Sequence, residues 1–230
     1  MKVHKNLLVR SKPEKSYGFI LLGFVVALVA HPLCVNFYVG RLLLNLWITL
    51  TLVQLILSQQ IDPAHRIQSI SLGSLSLVLS IVSFLSNLFN FSALPVFKVL
   101  MSVAALFFFF CVWVIIHSIF NQPRVTLDLI YGSVLAYLLL GISWATIFGC
   151  IELFVADSFS FGSEMTLFDR SGALLYFSFV TLTTLGYGDV LPVTGLSKTI
   201  AYLESITGVM YPAILIPMLV GKFGSSNVED

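Results

Sequence analysis

The chain has 230 residues, of which 58% are hydrophobic and only 10% are charged, and its mean hydropathy is +0.98. Soluble domains carry about 25% charged residues, so this composition excludes an ordinary soluble protein and predicts an integral membrane protein. The formal net charge of +1 gives no indication of nucleic-acid binding.

The first segment, residues 1–16, is basic. Short cytoplasmic segments of membrane proteins are enriched in Lys and Arg, so we expect this N-terminus to be cytoplasmic. A cleavable signal peptide is the alternative, but no small-residue cleavage site follows and further apolar segments come after. The basic residues are Lys2, Lys5, Arg10, Lys12 and Lys15.

Six apolar segments are long enough to cross a membrane, because a bilayer core about 30 Å thick needs roughly 20 apolar residues per helix. The intervals between them carry the proline, amide and charged residues typical of turns. We therefore predict an all-α integral membrane protein with six transmembrane helices and a short cytoplasmic tail, residues 222–230. The six segments are Tyr17–Val39, Leu42–Gln59, Ile67–Asn87, Leu94–Phe120, Leu127–Phe154 and Leu196–Val220.

Residues 17–123 are predicted to form a four-helix transmembrane unit. A voltage sensor in its fourth helix would need several charges, each worth about 2.3 kcal/mol per 100 mV. Residues 99–122 contain no Arg or Lys and a single histidine, His117. We therefore expect a unit without gating charges, in which His117 is a packed or interfacial residue and not a proton sensor.

The interval after the fifth segment is acidic, with four carboxylates against Arg170. Such an interval is either an outer vestibule that concentrates cations or an ordinary solvated loop, and the charge pattern leaves both open. The four acids are Glu152, Asp157, Glu164 and Asp169.

The residues from Arg170 to Pro192 predict a helix that enters the membrane and turns back. Ser171–Thr184 would form a helix of about 21 Å at 1.5 Å per residue, too short to cross a bilayer. Gly186 and Gly188 follow it. Non-helical backbone at membrane depth is tolerated only where it is buried in protein or lines a water-filled cavity.

Glycine at alternate positions permits backbone angles closed to other residues, so successive carbonyls can face the same side of the loop. A row of carbonyls is a ladder of cation ligands, and a cation without its hydration shell needs several oxygens at once. One loop supplies one oxygen per level, and the chain has no internal repeat. We therefore expect a homo-oligomer with cyclic symmetry and these loops at its centre.

The run TLTTLGYGD, residues 181–189, resembles the selectivity-filter signature of the potassium channel family. The resemblance covers residues 127–221 and implies an outer helix, a re-entrant pore helix, a filter loop and an inner helix, assembled as a tetramer around a central pore. The compact architecture is similar to that of prokaryotic members. By resemblance the filter is Thr184, Leu185, Gly186, Tyr187 and Gly188, with the Thr184 hydroxyl and the carbonyls of residues 184–187 as potassium ligands.

The resemblance also implies residues that support the filter. Tyr187 would be a strut packed toward the pore helix, and it favours potassium over related pores that replace it. Asp189 would be an acid pinned beside the filter. Some family members hold that acid with a pore-helix glutamate, but the matching residue here is Val180, so Tyr176 is the remaining hydroxyl donor. Thr183, directly before the filter, completes this supporting set.

The sixth segment is expected to line the inner mouth. Gly208 falls where the family often has a glycine at which the inner helix bends, and Pro212 and Pro217 each remove a backbone hydrogen bond. These three are candidates for a gating hinge, with close packing and tolerated prolines as the alternative. Glu204 is an acid within a span, and such residues face protein or water and indicate function. Lys198 and the open cavity are both possible surroundings for it.

Together these observations predict a potassium-selective channel that conducts passively and is not classically voltage-gated. Residues 124–221 form its pore domain, and no cofactor is expected beyond potassium ions bound in the filter. Its expected partners are further copies of itself and the lipid bilayer of the plasma or inner membrane, with no nucleic acid. The alternatives are a non-conducting accessory or scaffold protein and a weakly selective cation channel. An enzyme is disfavoured, because no His-Glu-x-x-His or Gly-x-Ser-x-Gly motif occurs.

Overall fold

The computed structural model describes residues 17–34, 38–58, 63–88, 94–122, 125–162 and 165–226. The predicted cytoplasmic segments 1–16 and 227–230 lie outside these ranges, so their location stays a prediction. The described residues form seven α-helices and one two-stranded sheet. The helices are α1 (Tyr17–Cys34), α2 (Tyr38–Ser58), α3 (Pro63–Leu88), α4 (Leu94–Asn121), α5 (Leu127–Phe154), α6 (Leu167–Leu182) and α7 (Gly195–Ser226).

The six predicted spans correspond to α1 through α5 and α7. Within the described ranges, α1, α4, α5 and α7 are long and apolar enough to cross a membrane. The apolar parts of α2 and α3 are shorter, covering Leu42–Val53 and Ile70–Val82. The prediction of an all-helical, multi-pass membrane protein is confirmed, whereas the number of six spans stays a prediction.

The short helix α6 is displaced toward the N-terminus relative to its predicted bounds. It begins at Leu167, before the expected Ser171, because Thr166 and Asp169 form a capping box. Each of the two accepts a hydrogen bond from the other's backbone N–H, which satisfies two donors that the first turn leaves free. The helix ends at Leu182, ahead of the expected Thr184.

Two further helices end several residues away from their predicted C-terminal bounds. Helix α1 ends at Cys34, before the expected Val39, and Pro32 within its last turn lacks a backbone donor. Helix α7 continues past the expected Val220 to Ser226, so residues 222–226, which we assigned to the tail, extend the helix.

Helix α5 lies at the centre of the described fold. Among the described residues, the contact between α4 and α5 is more extensive than that between any other two elements. Helices α1, α6 and α7 also contact α5. Leu135, Leu139 and Phe148 of α5 are fully buried in this contact region. Helix α3 packs on α4, and α2 joins α1 and α3. The first four helices are therefore joined to the outer helix of their own chain.

Helices α1 and α5 begin at the same place. The backbone N–H of Tyr17 donates to Asp128 Oδ1 at 2.6 Å, and Asp128 lies in the first turn of α5. A carboxylate near two helix N-termini interacts favourably with both dipoles. Asp128 thus fixes where α1 starts relative to α5.

The two strands brace the segment that contains α6. Strand β1 (Phe159–Ser160) pairs antiparallel with β2 (Leu191–Pro192), and the N–H of Val193 donates to the Ser158 carbonyl at 2.8 Å. The pair connects the end of α5 to the start of α7. The strand pair therefore joins the two ends of the segment that contains α6 and the loop after it, which limits how far the loop can move.

Candidate functional site

The loop after α6 has an alternating backbone. Thr184, Gly186 and Gly188 have φ values of 59°, 60° and 79°, whereas Leu185 and Tyr187 between them are outside this left-handed region. Such alternation turns successive peptide groups the same way, instead of to opposite sides as in a strand. The two glycines thus have the conformation that we expected, and Thr184 shares it although a β-branched residue rarely adopts it.

The N–H groups of the loop point back toward α6. Leu185 and Gly186 donate to the Val180 carbonyl at 2.9 and 3.3 Å, and Thr184 donates to the Thr181 carbonyl at 3.0 Å. These acceptors belong to the last turn of α6, where helix carbonyls lack intrahelical partners. Among the described residues, the carbonyls of residues 184–187 accept no hydrogen bond. Four consecutive oxygens are therefore left for another ligand.

Tyr176 holds the outer end of the loop. Its hydroxyl donates to Asp189 Oδ2 at 2.7 Å, the contact that we expected in the absence of a pore-helix glutamate. This hydrogen bond raises the pKa of Tyr176 to about 12, so the hydroxyl keeps its proton at physiological pH. The rings of Tyr176 and Tyr187 stack, with centroids 6.5 Å apart and planes inclined by 5°. Tyr187 thus packs toward the pore helix, as the resemblance implies.

The base of the loop is fixed by the end of α6. Thr183 caps the helix, and its hydroxyl donates to the Phe179 carbonyl at 2.7 Å, so this side chain points at the helix. Beneath it, Phe177 is buried among the rings of Phe148 and Phe159, with centroids 5.1 and 5.6 Å away. A rigid aromatic cluster therefore supports the helix that carries the loop.

The front of the loop is open in a single subunit. All of residues 184–189 are exposed, and nothing lies within 4 Å of a Cβ placed on Gly186 or Gly188. Leu185, which we expected to face protein, is 56% exposed, and Tyr187 is 67% exposed. Contiguous exposure of this kind in an apolar loop indicates a further contact surface.

Gly208 packs against the end of α6. A Cβ on Gly208 would lie 1.9 Å from the Leu182 carbonyl oxygen, so α7 meets α6 backbone to backbone. This is the packing role that we considered as the alternative to a hinge. Pro212 and Pro217 lie inside the continuous helix α7. A gating role for these three residues stays a prediction.

Glu204 faces α6 and not a cation. It is fully buried, and its Oε1 lies within hydrogen-bonding distance of Ser178 Oγ, whereas Lys198 is exposed. Glu204 therefore contacts neither Lys198 nor an open cavity, the two surroundings that we considered. Sequence reasoning missed Ser178, for which the only signal was a single serine in the apolar run LLYFSFV.

Two of the acids before α6 have partners within the described residues, and both interpretations of the acidic interval stay open. Glu152 is 6% exposed, pairs with Arg170 at 2.7 Å, and accepts a hydrogen bond from the Phe159 N–H at 3.1 Å. Asp169 belongs to the capping box, and Glu164 lies outside the described residues. Two of the four acids thus position α6, which reduces the charge available to attract cations.

Helix α4 carries His117 and no cation beyond its first turns. His117 stacks on Trp113 with centroids 5.4 Å apart and contacts the Asn121 amide at 2.9 Å. These contacts agree with a packed or interfacial residue, as we expected. Lys98, near the start of the helix, lies 5.1 Å from the ring centre of Phe154 on α5.

Lys222 joins the last turns of α7 to the end of α4. Its Nζ donates to the carbonyls of Ile119, Phe120 and Gln122 at 3.3, 2.8 and 2.8 Å. A cation at a helix C-terminus satisfies orphan carbonyls and interacts favourably with the helix dipole. The first four helices are therefore attached to the start of α5 through Asp128 and to the end of α7 through Lys222.

Comparison with known proteins agrees with this geometry. A family model described as an ion channel matches residues 136–224. The A-type voltage-gated potassium channels KCND3 of Rattus norvegicus, Oryctolagus cuniculus and Homo sapiens are each 34% identical to the chain over 92 residues. The match covers 40% of the chain but only 14% of each relative's length. No solved structure matches the chain. Residues 136–224 therefore match an ion channel domain, and the predicted resemblance to the potassium channel family is confirmed for this part of the chain.

Proposed function

We propose that the chain is the subunit of a homotetrameric, potassium-selective channel that conducts passively through residues 184–188. The observation that supports this most directly is the loop backbone. Its left-handed residues alternate, its N–H groups bond back to α6, and the carbonyls of residues 184–187 accept nothing within the described chain. Four copies around an axis supply a ring of oxygens at each level, which replaces the hydration shell of a cation.

The tetramer is supported by the exposed apolar surface of a single subunit. Leu185 and Tyr187 are exposed in the loop, and α7 presents a row of apolar side chains from Leu196 to Val220. An inner helix that meets its symmetry mates and lines a pore would present such a row. Its exposed large side chains include Tyr202, Leu203, Ile206, Val209, Met210, Ile214 and Ile216.

Potassium is supported as the conducted ion by the filter sequence, by the contacts of Tyr176 with Tyr187 and Asp189, and by relatives named as potassium channels. Those relatives are also named as voltage-gated, but residues 99–122 of this chain carry no Arg or Lys. Residues 99–122 therefore carry no charge that could move in the membrane potential, so gating is not classically voltage-dependent. The channel requires no enzymatic chemistry and no cofactor beyond the permeating ion. Both chain termini are cytoplasmic.

Purified protein in potassium-loaded liposomes tests the proposal. We expect a potassium-driven flux that barium blocks and that Gly186→Asp abolishes, because any side chain at a φ of 60° strains the backbone that aligns the carbonyls, and aspartate adds a charge to the loop. Gly195→Asp is the matched control. It is the same substitution at the start of α7, where nothing lies within 4 Å and a helix N-terminus favours an acid.

The alternatives give different results in the same assay. Absence of flux at every lipid composition, pH and voltage would favour a non-conducting accessory or scaffold protein. Equal sodium and potassium permeability, measured from the reversal potential, would identify a weakly selective cation channel.

A further inference from the structure

Helices α6 and α7 touch at two points that are one helical turn apart on both helices. Ser178 meets Glu204, and four residues further along each helix Leu182 meets Gly208. Residues four apart lie on the same face of a helix. One contact is polar and the other is a close approach of backbones, so together they fix both the rotation and the height of α7 against α6.

The number of hydrogen atoms at the contact between Ser178 and Glu204 decides which group donates. Ser178 Oγ lies 2.6 Å from the Gly141 carbonyl oxygen of α5 and also within hydrogen-bonding distance of Glu204 Oε1. A serine hydroxyl has one hydrogen, and a carbonyl oxygen only accepts. Both short contacts are hydrogen bonds only if Ser178 donates to Gly141 and the Glu204 carboxyl donates to Ser178. An ionised Glu204 would leave one of the two oxygen pairs without a hydrogen.

The surroundings of Glu204 also favour the neutral acid. The side chain is fully buried within one subunit, so a neighbouring copy cannot reach it, and its Oε2 has no partner among the described residues. The polar groups that lie near its carboxyl among the described residues are uncharged: Ser178 on α6 and Tyr137 on α5. A buried carboxylate without a cation or several donors carries a large desolvation cost.

We propose that Glu204 is a neutral, proton-carrying hydrogen-bond donor that positions the pore helix α6 on the inner helix α7 directly behind the filter. Ser178 precedes by two residues Val180, whose carbonyl accepts the N–H groups of Leu185 and Gly186. A displacement of Ser178 therefore moves the acceptor that orients the filter peptides. Glu204 touches no permeating ion, so it is a positioning residue.

Infrared difference spectroscopy of the reconstituted protein tests the protonation state without any need for conduction. We expect the spectrum of the wild type minus Glu204→Gln at neutral pH to show the loss of a protonated carboxyl C=O band. The matched control is Glu152→Gln, which removes the carboxylate paired with Arg170 and is expected to lose carboxylate bands instead. Loss of carboxylate bands in Glu204→Gln would overturn the proposal.

Potassium flux tests the positioning role and depends on the proposed channel function. Glu204→Gln, whose amide can donate to Ser178, is expected to keep the wild-type flux within about twofold. Glu204→Leu and Ser178→Ala are each expected to lower it by about tenfold, and the double variant by no more than either alone, because all three remove the same hydrogen bond. Glutamine and leucine variants with equal flux, or additive effects of the two single changes, would contradict the proposal. A wild type without flux would overturn the proposed function and leave the infrared result as the test of Glu204.

Discussion

The contact between Gly208 and Leu182 predicts a strong effect of Gly208→Ala. The added Cβ would lie 1.9 Å from the Leu182 oxygen and 2.8 Å from its carbonyl carbon. Non-bonded heavy atoms pack at about 3.5 Å, so α7 has to move away from α6 by about 1.5 Å. Both clashing atoms are backbone, and no rotamer change relieves them.

The cost of the substitution has two opposing parts. Overpacking of this kind costs about 3 kcal/mol when rigid backbone must shift, and alanine returns about 1 kcal/mol because it forms helix better than glycine. We therefore expect a net loss of about 2 kcal/mol in each subunit. We expect potassium flux to fall as well, because Leu182 is followed directly by Thr183 and the filter loop.

The measurement is the thermal dissociation of the proposed tetramer in detergent, together with potassium flux in liposomes. Gly149→Ala is the control, since a Cβ there meets only Met101 Sδ at 3.8 Å, an ordinary contact, and should leave stability unchanged or slightly raised. If Gly208→Ala dissociated at the same temperature as Gly149→Ala, the packing argument would be wrong. Unchanged stability with altered opening would instead support the hinge.

Three further predictions concern single contacts. Tyr176→Phe removes the hydrogen bond to Asp189, so potassium flux should decline faster during sustained activity. In an ultraviolet titration the wild type should show one tyrosine with a pKa of about 12, and the variant should lack it. The hydrogen bond persists below that pH, because the hydroxyl keeps its proton. Lys222→Met removes the donor to three carbonyls at the end of α4 and should cost about 1 kcal/mol of thermal stability, whereas Lys222→Arg should retain it. Thr166→Ala removes the N-cap of α6 and should lower the free energy of unfolding by about 1 kcal/mol, whereas the control Thr166→Ser should retain the cap and the stability.

Local chemistry accounts for the parts of the site that the sequence predicts well. The positions of Gly186 and Gly188 specify a left-handed backbone because other residues avoid it, and Tyr176 was the donor left for Asp189 once Val180 replaced an acid. The left-handed φ of Thr184 had no such signal. It follows from the hydrogen bonds that pull the loop against the last turn of α6.

Contacts between distant parts of the chain could not be predicted from the pattern. Ser178 and Glu204 are 26 residues apart, and Lys222 is about 100 residues from the carbonyls that it contacts. Hydropathy shows that these residues lie in or near spans but not which faces meet. The same limit applies to Glu152, which composition placed in an acidic loop and which is buried in the structure and paired with the half-buried Arg170.

The attachment of Lys222 to the end of α4 makes the first four helices thermodynamically linked to the C-terminal end of α7. Any movement that separates the end of α7 from the end of α4 breaks the three hydrogen bonds that Lys222 donates, so the free energy of that movement includes their loss. Linkage is reciprocal: a lipid or partner that binds the separated arrangement more tightly shifts α7, and a shift of α7 changes the affinity for that ligand by the same factor. A helix bundle without gating charges can therefore bias the pore through a single lysine.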